Sequence, residues 1–395
     1  MKRKTYLDTA STTPLDKRVL RAMAPYWRVD FGNPSSIHAM GVTAKNAVAT
    51  ARKTIAKSLN AHDREIVFTS GGTEANNLAI FGAVKKQLMA GKKVHAITTE
   101  IEHSSILEPF KELKRIGCAV DFLKVNEEGI VNPKDLRDVM RPETAIISIG
   151  YANSEIGVVQ PIKEIIKEIR HARKKFGRDR VAMPYLHLDA CAAMQYENMN
   201  VEELGVDFIS IDAQKIYGPK GVGALYVKDG VEIEPVMFGG GQEKGLRSGT
   251  ENVPGIVGFA KAAEINDTLK EKEGKRLAKL LDEFFGKVQK IVPTAIVNGS
   301  RGLRLPNNIN ISIPGEDGEM MVLRLDEKGF VASSSSACAS GSGESAVVRT
   351  IAEASGATTA DVDARAKSAL RFTLGRETRA AAVKRLLKIL AAICK

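Results

Sequence analysis

Short apolar runs alternate with stretches of helical period along the first two thirds of the chain. The runs EIVFT (65–69), VHAIT (94–98), AVDFLKV (119–125), AIISI (145–149), YLHL (185–188) and FISI (208–211) read as strands. They are too short for core helices and rich in β-branched residues. Between most of them the pattern turns amphipathic with helical spacing. Helices are expected over 14–27, over 42–59, from the turn at 70–73 through 86, and over 103–116. Buried strands alternating with amphipathic helices imply an α/β fold with a mainly parallel central sheet covered on both faces. Such sheets bind ligands at the carboxyl ends of their strands, so the residues that follow each strand carry the most functional interest.

The pattern changes near Pro254. A long charged helix is expected through 261–287, then short strands near Ile296 and over 309–313, a helix over 317–327 and a strand at 330–332. A last strand, 370–374, precedes a final helix. The reading is a large domain, residues 14–255, and a smaller α+β domain made of residues 1–13 and 256–395. Gly239-Gly240-Gly241 reads as a flexible loop before the junction.

Composition narrows the classes. The chain has 395 residues, 44% hydrophobic and 27% charged, ample for a large core and unlike a disordered chain. A net charge of +11 invites an acidic partner. Yet the positive residues are spread over helical faces such as 163–175 and 384–388, and no aromatic platform accompanies them, so direct nucleic-acid binding is not expected. The N-terminus MKRKTYLDTA turns polar at once, without the apolar run of a signal peptide. There is no apolar stretch of about 18 residues, so no membrane span is expected and a cytoplasmic place of action is. Cys118, Cys191, Cys338 and Cys394 are scattered without paired spacing, which points away from a zinc site or a disulfide framework. Cys118 and Cys191 read as small buried residues.

Several residues at strand ends suggest chemistry. Asp189 follows YLHL and Lys215 follows FISI. A carboxylate and an amine at neighbouring strand ends suit pyridoxal 5'-phosphate (PLP). The amine takes the aldehyde, and the carboxylate keeps the pyridine nitrogen protonated so that the ring acts as an electron sink. Each alone is more often a solvated lysine or half of a salt bridge. Ser70-Gly71-Gly72-Thr73 links a strand to a helix, where glycine lets a phosphate approach the helix amides, although many such turns hold glycine. His103 stands at the next strand-to-helix junction, placed to stack on a planar ring and move protons, or simply to cap the helix. Cys338 sits among Ser333-Ser334-Ser335-Ser336 and Ser340-Gly341, a segment too polar and small to pack, as a travelling nucleophile requires. Arg371 lies on a strand of the smaller domain, suited to a bidentate grip on a substrate carboxylate or to an ordinary sheet surface.

Together the segments YLDTASTTP (6–14), FGNPSSIH (31–38), EIVFTSGGTEANNLAI (65–80), TEIEH (99–103), NSEIGVVQPI (153–162), HLDA (187–190), QKIYGPKGVGALYV (214–227), GGGQEKGLRSGTEN (239–252), SSSSACAS (333–340) and LRFTLGR (370–376) resemble cysteine desulfurases of the NifS/IscS kind, within the class V aminotransferase-like PLP enzymes. The resemblance runs in collinear order over almost the whole chain. It implies PLP-enzyme fold type I and conversion of L-cysteine to L-alanine, with the sulfur passing to Cys338 as a persulfide. The sulfur would then serve iron–sulfur cluster assembly or tRNA thiolation.

By the same resemblance Lys215 carries the cofactor, Asp189 pairs with the pyridine nitrogen, and His103 stacks on the ring and transfers protons. Gly72 and Thr73 bind the phosphate, with Asp212, Gln214 and Ser154 at the remaining cofactor positions. Thr250 reaches the phosphate of the other subunit, which implies a homodimer. Arg371 and Asn33 hold the cysteine carboxylate. No metal is implied. The serine-rich loop resembles the group that hands sulfur to iron–sulfur scaffold proteins or other acceptors.

The sequence departs from the family at the cofactor. Asp212-Ala213-Gln214 stands where Ser-x-His usually precedes the lysine, Ala192 replaces a glutamine, and Ser154 the second asparagine of Asn-Asn-Glu. Gln214 still donates hydrogen bonds, whereas an ionised Asp212 only accepts them and repels a phosphate. Two other readings fit the same residues. One is another PLP reaction, such as transamination or selenocysteine cleavage. The other is a PLP-poor dimer that binds scaffold partners.

Overall fold

The computed structural model describes residues 4–178, 182–334 and 343–394. Its strands are β1 (Thr5–Tyr6), β2 (Ile66–Thr69), β3 (His95–Thr99), β4 (Ala119–Leu123), β5 (Thr144–Gly150), β6 (Tyr185–Asp189), β7 (Phe208–Asp212), β8 (Gly223–Val227), β9 (Ile296–Val297), β10 (Asn308–Ser312), β11 (Phe330–Val331) and β12 (Ala369–Thr373). The architecture is α/β. A seven-stranded sheet has the order β2-β8-β7-β6-β5-β3-β4. The strands β7, β6, β5, β3 and β4 pair in parallel, and β8 runs antiparallel to both neighbours. Every residue of β2, β3, β7 and β8 is buried, as expected of strands with helices on both faces.

This topology collects chemistry at one edge. The strands β2, β3, β5, β6 and β7 point the same way, so their carboxyl ends lie together. In register, Gly150 at the end of β5 stands beside Asp189 at the end of β6, and Asp189 beside Ser210 of β7.

A second apolar cluster lies around the antiparallel sheet β9-β10-β12, with Leu7, Phe330, Phe372 and Leu386 among its fully buried members. The N-terminal strand β1 pairs with β11, so the first residues join this second cluster. The helix Val253–Ile291 links the two clusters. Its 39 residues span about 58 Å at the usual rise. Val253, Ile256, Phe259 and Ala263 pack into the main core, and Leu277, Leu281, Phe284 and Val288 into the second. It begins earlier than the charge pattern suggests because its first turn is apolar, with Pro254 at the favoured first positions and the Asn252 side chain accepting from the Gly255 amide.

One other expectation changes, and three elements appear where none was expected. The helix expected over 14–27 is two helices, Lys17–Met23 and Pro25–Arg28. Asp16 caps the first, and Pro25, which has no amide to donate backward, opens the second. The segment Gly223–Val227 is a strand, joined to β7 without a crossover helix. Two short helices, Ala346–Ala354 and Thr359–Lys367, precede β12. Among the described residues, no helix is long and apolar enough to cross a membrane.

Candidate active site

The carboxyl edge of the large sheet forms a cavity of about 300 Å³. Its lining includes Gly72, Thr73, His103, Ser154, Asp189, Asp212, Gln214, Lys215 and Arg371, together with Ala10, Asn76, Glu102, Cys191 and Ala192. Asn33 and Thr250 are exposed and do not line it within one chain. The Asn33 carboxamide instead accepts from the Ser35 amide at 2.9 Å, closing a local turn. Cys338 lies outside the described residues.

Lys215 ends a single 3₁₀ turn, Ala213–Lys215, that follows β7 directly. Its Nζ donates to the carbonyls of Ala10 at 2.6 Å and Ser11 at 2.9 Å. The amine is therefore held by the segment that runs from β1 across the second cluster. Asp189, at the end of β6, accepts from Asn76 Nδ2 at 2.8 Å and from the Cys191 amide at 3.0 Å. Both bonds fix the carboxylate plane with neutral donors.

His103 caps the helix Ser104–Arg115. Its Nδ1 accepts from the Ser105 amide at 3.1 Å, which assigns the hydrogen of the neutral ring to Nε2. Burial holds its pKa below the ordinary value, opposed by the Asp189 carboxylate and reinforced by Lys215. The ring therefore enters the site neutral.

Arg371 is 2% exposed on β12, and its Nη2 donates to Asp8 Oδ1 at 2.9 Å and Ser11 Oγ at 2.8 Å. Its Nε has no hydrogen-bond partner among the described residues. Asn76 Oδ1, wholly buried in the same lining, also has none. An unmet donor and an unmet acceptor in one cavity mark positions where a polar ligand belongs.

Two residues that sequence reasoning passed over complete the site. Asn76 sits one turn into the helix Gly72–Met89, on the face of Gly72 and Thr73, and holds Asp189. Glu102 accepts from Thr99 Oγ1 at 2.7 Å and from the Gly150 amide at 2.8 Å. Burial pushes its carboxyl up to about 7, with Asp189 adding to the rise. Its place directly before His103 was the available signal. Cys191, expected in the core, instead lines the cavity because it follows Asp189 out of β6. Burial, with Asp189 and Asp212 adding, holds its thiol well above the ordinary cysteine range, so it stays protonated.

The residues present fit PLP around its ring: an amine, a rigid carboxylate and a neutral imidazole converge, with unmet polar atoms beside them. Thr73 and the start of the helix Gly72–Met89 lie at the same cavity.

The chain belongs to the aminotransferase class-V family, whose model matches residues 5–386. Curated relatives that it resembles include cysteine desulfurases. "Cysteine desulfurase IscS" of Dictyoglomus turgidum is 44% identical over 378 residues, 96% of this chain and 91% of the relative. "Cysteine desulfurase IscS 1" of Archaeoglobus fulgidus is 44% identical over 335 residues, 85% of this chain and 84% of the relative. Among solved structures, a "NifS-like protein" superposes with a TM-score of 0.88 at 32% identity, covering 99% of both chains. "SspA in complex with cysteine" superposes at 0.77 with 32% identity, covering 94% of this chain and 98% of that one. The fold is thus the PLP-enzyme fold type I of the NifS-like proteins.

Proposed function

We propose that the chain takes the sulfur of L-cysteine onto Cys338, with PLP held at Lys215, and works as a homodimer. The observation that carries this reading is the convergence of Lys215, Asp189 and His103 on one cavity from the ends of β7, β6 and β3. PLP bound there supplies an electron sink for the substrate's carbon atoms.

The chain's own residues do the rest. Lys215 presents the amine that binds the cofactor covalently. Asp189 holds a proton on the ring nitrogen, and Asn76 keeps that carboxylate in place. His103 offers a neutral ring with its hydrogen on Nε2. Arg371, desolvated and with Nε unmet, suits the carboxylate of cysteine. Cys338 then attacks the substrate sulfur. An S–S bond forms as the substrate's Cβ–S bond breaks, the bonding pair stays with Cβ, and Cβ takes a proton to leave L-alanine.

The anchors of the Cys338 segment support this role. Ser333 forms a two-way backbone bridge with Arg371, and Ser345 bonds to Glu155, another cavity residue. Cys338 comes five residues after Ser333, a reach of at most about 18 Å. From Cys338 the sulfur passes to an iron–sulfur scaffold or another acceptor.

Exposed Trp27, Val29, Phe31 and Ile37, from 61% to 97% accessible, suit a second copy of the chain. The same contact would bring Thr250 to the partner's cofactor phosphate. In domain terms, residues 14–255 carry the cofactor, and residues 1–13 with 256–395 carry Arg371 and the Cys338 segment.

Absorption spectroscopy tests the reading. PLP-loaded protein is expected to show a near-visible band that shifts with L-cysteine. Lys215→Ala is expected to lose the band and to lower sulfide release by roughly a thousandfold or more. Undiminished release from that variant would remove the basis for the assignment.

A further inference from the structure

The turn between β2 and the helix Gly72–Met89 already holds anions of the protein's own. The Ser70 amide donates to Glu74 Oε2 at 2.8 Å, and the Gly72 amide to Asp212 Oδ2 at 3.0 Å. Asp212 Oδ2 also accepts from Gln214 Nε2 at 3.3 Å, and Oδ1 from the Gln214 amide at 3.1 Å. Asp212 is 6% exposed and lines the cavity, so its carboxylate is a fixed part of the wall. Gly71 has φ of 154°, and a Cβ there would stand 3.3 Å from Asp212 Oδ2. The turn is thus shaped closely around this carboxylate.

We propose that Asp212 is a built-in anion that competes with the cofactor's phosphate for the amide end of the helix Gly72–Met89, and so sets how strongly the site prefers PLP over unphosphorylated pyridoxal. This rests on the proposed function, because it assumes an aldehyde cofactor at Lys215.

The physical argument has three parts. A helix start of this kind attracts a phosphate through unpaired amides and the positive end of the helix dipole. Asp212 has taken the Gly72 amide, and its negative charge screens the dipole from a second anion. Two anions at this separation repel, and burial strengthens the repulsion. Gln214, the neighbouring amide donor, is turned onto Asp212 rather than left free for a ligand. Glu74 has taken the Ser70 amide and is itself paired with Arg247 at 2.9 Å, so that cation is also committed. The ring side of the cavity, with Lys215, Asp189 and His103, is untouched by these bonds. Asp212 therefore weakens the grip on the phosphate and leaves the grip on the ring.

Equilibrium titration of cofactor-free protein with PLP and with pyridoxal tests this, with borohydride trapping and mass spectrometry to place each aldehyde on Lys215. The wild-type chain is expected to prefer PLP over pyridoxal by less than about tenfold. Asp212→Ser and Asp212→Asn are each expected to tighten PLP by about tenfold or more and to leave pyridoxal affinity within about twofold. The asparagine variant keeps the shape and the acceptor for the Gln214 amide, which separates charge from folding. An unchanged preference in both variants overturns the proposal while the proposed function stands. Equal weakening of both ligands also overturns it, because Asp212 would then only support the turn that carries Lys215. Failure of PLP to label Lys215 in the wild-type chain overturns the proposed function, and this inference with it; failure of pyridoxal alone overturns only this inference.

Discussion

Glu102 binds its proton more tightly in the folded chain than an ordinary glutamate, with a carboxyl pushed from 4.5 to about 7 by burial. The folded state therefore holds an extra proton between those values. The stabilisation this gives is fully present below about pH 4.5 and is lost as pH rises through about 7. Glu102→Gln stays neutral throughout and still accepts from the Gly150 amide. Between pH 4.5 and 8, unfolding free energy measured in urea is expected to move against the wild-type chain relative to the variant by on the order of 3 kcal/mol, because the buried histidines contribute alike to both. The same slope in both would place the source of the pH dependence elsewhere. At this scale much of the site was legible, because amines, carboxylates and imidazoles after apolar strands are conspicuous in a sequence. Asn76 was not, since its link to Asp189 depends on helical period and on two elements meeting. The direction of Asp212 was not either. A side chain at a strand end can face the ring, the amides or solvent, and only the fold decides among them.

At the scale of elements, the apolar runs identified most strands of the large sheet, because burial on both faces leaves them nearly continuous. What failed to show was punctuation. Pro25 splits the first helix, β8 returns from β7 without a crossover helix, and two nine-residue helices lie between the Cys338 segment and β12. Short helices carry too few turns to reveal a period. The helix Val253–Ile291 is the element whose packing matters most, because its two halves serve different cores. Phe284, wholly buried, packs against Phe285 and Phe372 with ring centroids 6.0 and 6.2 Å apart. Phe284→Ala is expected to cost about 3–5 kcal/mol in denaturant unfolding, from lost burial and the cavity left behind. A loss below about 1 kcal/mol would mean that the second cluster adds little to overall stability.

At the scale of the whole molecule, the exposed Trp27 and Ile37 belong to the surface assigned to the second copy. Light scattering of the wild-type protein is expected to give twice the 42.7 kDa chain mass. Trp27→Glu combined with Ile37→Glu is expected to give the single chain and to shed PLP on dialysis, because Thr250 no longer reaches the partner's phosphate. A doubly substituted protein that remains dimeric would move the interface elsewhere.

Sulfur is expected to land on Cys338 and on no other cysteine. Cys191, which lines the cavity, is held as a thiol by burial, and Cys118 is buried at 5% exposure away from it. Brief exposure of the PLP-loaded protein to L-cysteine, followed by alkylation and peptide mass spectrometry, tests this directly. The mass of one added sulfur is expected on the Cys338 peptide, and none in Cys338→Ser, which should still bind PLP and still shift its spectrum with L-cysteine. Added sulfur on Cys118, Cys191 or Cys394, with Cys338 unmodified, would contradict the account.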